Sequence, residues 1–95
     1  PRYPASTRDL AIVVDAGVPA AEVEKVIRKA AGEHLESVTL FDVYTGEQVG
    51  NEKKSLAYSL VYRAEDRTLT DEEVAKFHQS VIDELERHLG ARLRA

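Results

Sequence analysis

Leu35-Glu-Ser-Val-Thr-Leu-Phe-Asp-Val-Tyr44 and Lys53-Lys-Ser-Leu-Ala-Tyr-Ser-Leu-Val-Tyr62 are two apolar-rich runs separated by a polar stretch carrying Gly46 and Gly50. Runs rich in β-branched and aromatic residues around a glycine-bearing linker read as strand, turn, strand. Successive side chains of a strand point to opposite faces. In the second run this puts Leu56, Tyr58, Leu60 and Tyr62 on one face, and Ser55, Ala57, Ser59 and Val61 on the other. The bulky set should face a core and the small set should face outward. In the first run the same alternation pairs Phe41 with Val43, and Leu40 with Asp42 and Tyr44.

Upstream, Arg8–Asp15 is expected to be a strand with Leu10, Ile12 and Val14 on one side and Ala11 and Val13 on the other. Being apolar on both faces, it belongs in the middle of a sheet. Pro19 suits a first helical position. A helix over about 20–31 follows, striped by Val23, Val26, Ile27 and Ala30, with Gly32 as its left-handed stop. Residues 1–7, with Pro1 and Pro4, read as an extended lead-in. Downstream, Thr70-Asp-Glu-Glu73 has the spacing of a capping box. The helix it opens runs to about Leu89 with Val74, Phe77, Val81, Leu85 and Leu89 as its stripe, and Gly90 ends it. Ala91–Arg94 leaves room only for a short last strand.

The order strand–helix–strand–strand–helix–strand predicts an α+β fold, a ferredoxin-like βαββαβ sandwich. Both helices cover one face of a four-stranded antiparallel sheet. Right-handed crossovers place the first and third strands in its centre. Ninety-five residues suffice for one domain and not for two, so residues 1–95 are read as a single unit. The chain opens on Pro1 and has no methionine, and it is expected to be a domain cut from a longer protein. The absence of cysteine excludes disulfides and thiolate chemistry and fits a cytoplasmic setting. The sequence shows neither a membrane-spanning run nor a signal segment.

The net charge of −4 counts mildly against nucleic acid, but its distribution matters more. Asp71, Glu72, Glu73, Asp83, Glu84 and Glu86 crowd the second helix. Arg2, Arg8, Lys53, Lys54, Arg63, Arg67, Arg92 and Arg94 lie outside both helices. Strand ends and loops are therefore much closer to neutral.

The sequence has no phosphate-cradling glycine loop, no histidine pair at ligand spacing and no nucleophile motif. His34, His78 and His88 are read as structural or exposed. Adjacent acids on the second helix read as a solvated face. Asp9 and Asp42 are carboxylates within strands and need a partner or water. Arg8, Arg63 or Arg94 could supply one, a reading preferred to an acid–base role. The outer sheet face carries Ala11, Val13, Ser55, Ala57, Ser59, Asp42 and Tyr44. Such a flat face with one aromatic and a basic rim can stack and read bases. It could equally keep the sheet soluble or dock a neighbouring domain.

Four segments carry a resemblance: Tyr3-Pro4 leading to Arg8-Asp9-Leu10-Ala11, Leu40-Phe41-Asp42-Val43-Tyr44, Lys54-Ser55-Leu56-Ala57-Tyr58, and Arg67 through Val74. In this order and spacing the chain resembles the ferredoxin-fold anticodon-binding domain of bacterial phenylalanyl-tRNA synthetase beta subunits. The resemblance implies a tRNA-binding domain with no catalysis and no cofactor of its own. It implies a parent of two alpha and two beta subunits that uses ATP and Mg²⁺ to charge tRNA(Phe), with catalysis in the alpha subunit. The partners it implies are the anticodon stem-loop and the rest of that enzyme, with no membrane. Carried onto this sequence, Ser55 would meet a base edge, Ala57 and Ala11 would allow close approach, and Tyr44 would stack. Lys54, Arg8 and Arg94 would contact phosphates. Asp42 and Arg67 would hold strand ends and loops.

The rival is a ferredoxin-like protein-interaction or small-ligand regulatory module, since fold alone does not fix function. A small acyl-phosphatase-like enzyme would need an arginine and an asparagine after the first strand, and Asp15-Ala-Gly-Val-Pro19 offers neither.

Overall fold

The computed structural model describes residues 3–46 and 52–94. Its elements are β1 (Ser6–Asp15), α1 (Ala20–Ala31), β2 (Leu35–Tyr44), β3 (Lys53–Tyr62), α2 (Asp71–Leu89) and β4 (Arg92–Leu93), with a 3-10 turn over Gly32–His34. The strands form one sheet in the order β2-β3-β1-β4, and every pair is antiparallel. The first and third strands are central, as the crossover rule requires. This is the ferredoxin-like α+β arrangement.

The centre is the β1–β3 pair, which runs without a register shift from Ser6↔Tyr62 to Asp15↔Lys53. Directly opposed residues share a face, so Leu10, Ile12 and Val14 stand beside Tyr58, Leu56 and Lys54. Leu10, Ile12, Val14, Leu56, Tyr58, Leu60 and Tyr62 are at most 1% exposed. They meet Val23, Ile27 and Ala31 of α1 and Val74, Val81 and Leu85 of α2. The two tyrosines keep their hydroxyls at the edge of this core. Tyr58 Oη donates to the Ala20 carbonyl at 3.2 Å, and Tyr62 Oη lies 3.3 Å from His78 Nδ1. Burial pushes both phenols up to about 12; the charge of Glu24 adds to this at Tyr58, and that of Arg8 opposes it at Tyr62.

The ends of the elements follow from local chemistry, with some departures. α2 opens on the expected capping box: the Glu73 N–H donates to Thr70 Oγ1 and the Thr70 N–H to Glu73 Oε1, both at 3.1 Å. It closes on Gly90 in the left-handed region (φ 63°, ψ 24°). There the Gly90 N–H reaches the Glu86 carbonyl, the bond of an αL stop, and the Ala91 N–H reaches the Leu85 carbonyl. Pro19 is the N-cap of α1, with extended ψ, rather than its first residue. Gly32 has φ 79° and ψ −159°, so it leads into the 3-10 turn instead of forming a simple left-handed stop. β1 begins at Ser6, shortening the expected lead-in. Ser6 and Thr7 pair with Tyr62 and Val61, which supplies the ladder bonds that local sequence could not reveal. Gly50 lies outside the described residues.

The larger correction concerns β2. A register shift between Leu40 and Asp42 leaves Phe41 as an extra residue, and a bulge of this kind reverses the alternation. Leu40 therefore opposes Tyr58 and Val43 opposes Leu56, on the helix-facing side. Asp42 and Tyr44 oppose Ala57 and Ser55 on the outer side. Leu40 does not share a face with Asp42 and Tyr44.

Two predictions follow from this packing. Leu60→Ala, at a fully buried central position, should cost about 2–5 kcal/mol, read as a lower urea midpoint at unchanged slope. A loss below about 1 kcal/mol would place Leu60 outside the core. The second concerns Glu73, whose carboxyl is lowered from 4.5 to about 2, first by the Arg67 side-chain hydrogen bond and then by the Thr70 N–H. A carboxylate depressed on folding stabilises above its unfolded value and loses that contribution as pH falls through its folded one. Stability should thus decline from pH 4.5 towards about 2, and Glu73→Gln should flatten that decline. Urea midpoints against pH with equal slopes for both proteins would contradict the assignment.

Candidate nucleic-acid interface

The face turned away from the helices is built in rows. Tyr44 of β2, Ser55 of β3, Val13 of β1 and Arg92 of β4 stand opposite one another. The next row is Asp42, Ala57 and Ala11, and beyond it lie Thr39, Ser59 and Asp9. With strands about 4.8 Å apart, such a row is roughly 14 Å wide. The small side chains of Ala11, Ala57 and Ser59 make its floor flat, while Asp42 and Asp9 stand exposed at its sides.

Three strands converge on one cluster. Arg94 follows β4, and its N–H donates to the Ala11 carbonyl at 2.8 Å. From there its side chain crosses β1. Nη1 donates to Ser55 Oγ at 3.1 Å, and the guanidinium carbon lies 5.3 Å from the Tyr44 ring centroid. This distance is within cation–π range. Ser55 is 4% exposed, whereas Tyr44 is 37% exposed.

Ser55, Tyr44, Ala57 and Arg94 are therefore brought together on the outer face. Lys54 and Arg8 are not. Lys54 opposes Val14 and Arg8 opposes Leu60, which places both on the helix-facing side. The charge of Arg8 is felt there by His78, whose pKa is lowered first by burial and then by that charge. The two-residue period already carried this signal, since Lys54 adjoins Ser55 and Arg8 is two residues from Leu10. Arg92 and Thr39 were not singled out in the sequence and do belong to this face. The register of β4 and the bulge in β2 place them there.

The remaining polar groups have local roles. Arg63 Nε donates to Glu36 Oε1 at 2.9 Å, and its Nη1 reaches the Tyr3 carbonyl. Arg67 holds Asp66 at 3.0 Å and Glu73 at 2.5 Å, tying the connector to the start of α2. Lys53 pairs with Asp15 at 2.5 Å. The expected strand-carboxylate partners are thus engaged elsewhere: Arg63 on Glu36 and Arg94 on Ser55. His34 packs on Phe77 with ring centroids 5.3 Å apart, and His88 Nε2 lies 3.1 Å from Glu84. Among the described residues no three His, Asp or Glu side chains gather as a metal site. No helix among them is long and apolar enough to cross a membrane. What the outer face offers is a shallow platform: the Tyr44 ring, the hydroxyls of Ser55, Ser59 and Thr39, small neighbours and two arginines, with Asp42 and Asp9 at its sides.

Comparison with known proteins points the same way. The family described as the ferredoxin-fold anticodon binding domain matches residues 1–94. The phenylalanine–tRNA ligase beta subunit of Thermobifida fusca is 58% identical over 92 residues, covering 97% of this chain and 11% of that protein. Its counterpart in Symbiobacterium thermophilum is 56% identical over 95 residues, covering 100% of this chain and 10% of that protein. That of Shouchella clausii is 53% identical over 95 residues, covering 100% of this chain and 12% of that protein. The chain spans about a tenth of the length of the relatives it matches.

Proposed function

The chain belongs to the ferredoxin-fold anticodon-binding family, and on that premise we propose that it is the tRNA-recognition domain of a phenylalanine–tRNA ligase beta subunit. It binds the anticodon stem-loop of tRNA(Phe) on the outer face of its sheet. The observation that carries this reading is the platform itself. Tyr44 presents a ring on which a base can stack, a contact worth about 1–3 kcal/mol. Ala11 and Ala57 let a base approach the sheet closely. The Ser55 hydroxyl can donate to or accept from a base edge. Arg92 and Arg94 supply cations for the backbone, which position RNA without reading its sequence. Lys54 and Arg8, on the other side of the sheet, add only long-range attraction.

The domain selects and positions; it performs no chemical step. Aminoacylation with ATP and Mg²⁺ belongs to the parent ligase, in its alpha subunit. That parent is a cytoplasmic enzyme of two alpha and two beta subunits, and it supplies much of the affinity for tRNA. With a net charge of −4, the isolated domain binds weakly and with strong salt dependence.

A labelled anticodon stem-loop titrated at low salt tests this. Ala57→Glu, in the middle of the floor, should weaken binding at least about tenfold, equivalent to about 1.4 kcal/mol. Lys25→Glu, on the exposed side of α1, should change it less than about twofold, roughly 0.4 kcal/mol. The reverse pattern would move the RNA site to the helices.

A further inference from the structure

We infer that Arg94 controls access to Ser55: it covers the hydroxyl in the free domain and, on binding, exchanges it for an RNA phosphate. This rests on the anticodon-binding reading and adds the residue that couples backbone contact to base reading.

Three observations carry it. The first is the burial of Ser55. It is 4% exposed and is the buried polar residue among the described ones, although it stands on an otherwise accessible face. Ser59, on the same strand and face, is only partly buried. The difference is the cover over Ser55, namely the Arg94 guanidinium and the Tyr44 ring. A base edge cannot reach Ser55 Oγ until that cover moves.

The second is what holds Arg94. Arg28, Arg63 and Arg67 each hold a carboxylate. The Arg94 side chain holds a neutral hydroxyl and a ring, and no carboxylate among the described residues pairs with it. A hydrogen bond between guanidinium and phosphate is shorter and stronger than one to a neutral hydroxyl. An approaching phosphate therefore outcompetes Ser55 for the same donor.

The third is the anchoring of the Arg94 backbone by its N–H on Ala11. The exchange needs only a side-chain swing, and β4 keeps its place. Once the swing occurs, the hydroxyl and the covered face of the Tyr44 ring are released together. A loop that presents a base without a correctly placed phosphate must open the cover without compensation. Arg94 is thus a positioning residue that makes Ser55 selective for a particular backbone path.

The test is the salt dependence of stem-loop binding, measured for the unaltered chain and for Arg94→Ala, Arg94→Lys and Ser55→Ala. If Arg94 takes a phosphate, Arg94→Ala reduces the slope of log K against log salt by about 0.7–0.9. Arg94→Lys keeps the charge and restores the slope. Ser55→Ala leaves the slope unchanged, because the arginine still reaches its phosphate. In the unaltered chain the Arg94 Nε–H resonance should move on adding RNA, together with the Tyr44 ring signals. An unchanged slope in Arg94→Ala, or an Arg94 resonance that stays fixed while Tyr44 moves, overturns the exchange and leaves anticodon binding intact. If neither set of signals moves and Ala57→Glu binds as well as the unaltered chain, the anticodon reading falls and the exchange falls with it.

Discussion

Everything in this domain depends on β3 holding its register against β1. The pair runs from Ser6↔Tyr62 to Asp15↔Lys53 without an inserted residue, so alternation acts as a strict division of labour. Leu56, Tyr58, Leu60 and Tyr62 enter the core, at about 1.5–3 kcal/mol for each large apolar side chain buried. Ser55, Ala57, Ser59 and Val61 are thereby turned to the other face. A slip of one residue would send every bulky side chain outward. The energy that fixes the core therefore also fixes which side chains the platform presents.

The edges complete what the centre begins. The bulge at Phe41 re-aims the end of β2, so that Tyr44 comes to lie opposite Ser55. On the far edge, β4 contributes only Arg92–Leu93 to the ladder, yet it delivers two arginines to the outer face. The charge layout suits this division. The acids of α2 lie on the helix side of the sheet, opposite the platform. At physiological ionic strength the Debye length is about 8 Å, so charges on the solvent side of the helix layer are largely screened from the outer face. The net negative charge of the chain is therefore a poor guide to the potential an RNA would meet at the outer face.

The fold was legible in the sequence because each local signal agreed with the global arrangement. The period-two pattern of β3, the Thr70–Glu73 box, Gly90 and the stripes on both helices all specified one sandwich. The outer location of Ser55, Ala57 and Tyr44 was legible for the same reason. What stayed hidden depended on non-local pairing. Phe41 carries no local sign that it is an extra residue; only the register with β3 makes it one, and Leu40 changes sides as a result. The burial of Ser55 depends on where Arg94 arrives, which two residues of β4 decide. Lys54 and Arg8 are a different case, because their parity could have been read. Strict alternation from Ser55 and from Leu10 places them beside the helices, whatever their charge.

We propose that the small-residue face of the sheet, and not the helical face, receives the anticodon. Photo-cross-linking tests it most directly: an anticodon stem-loop with a photoreactive base in its loop is bound to the chain, irradiated, and the adducts are mapped by mass spectrometry. Adducts are expected on outer-face positions of β2 and β3, centred on Tyr44 and Ser55–Ala57. Adducts confined to α1 and α2, with the sheet unmodified, would contradict the proposal.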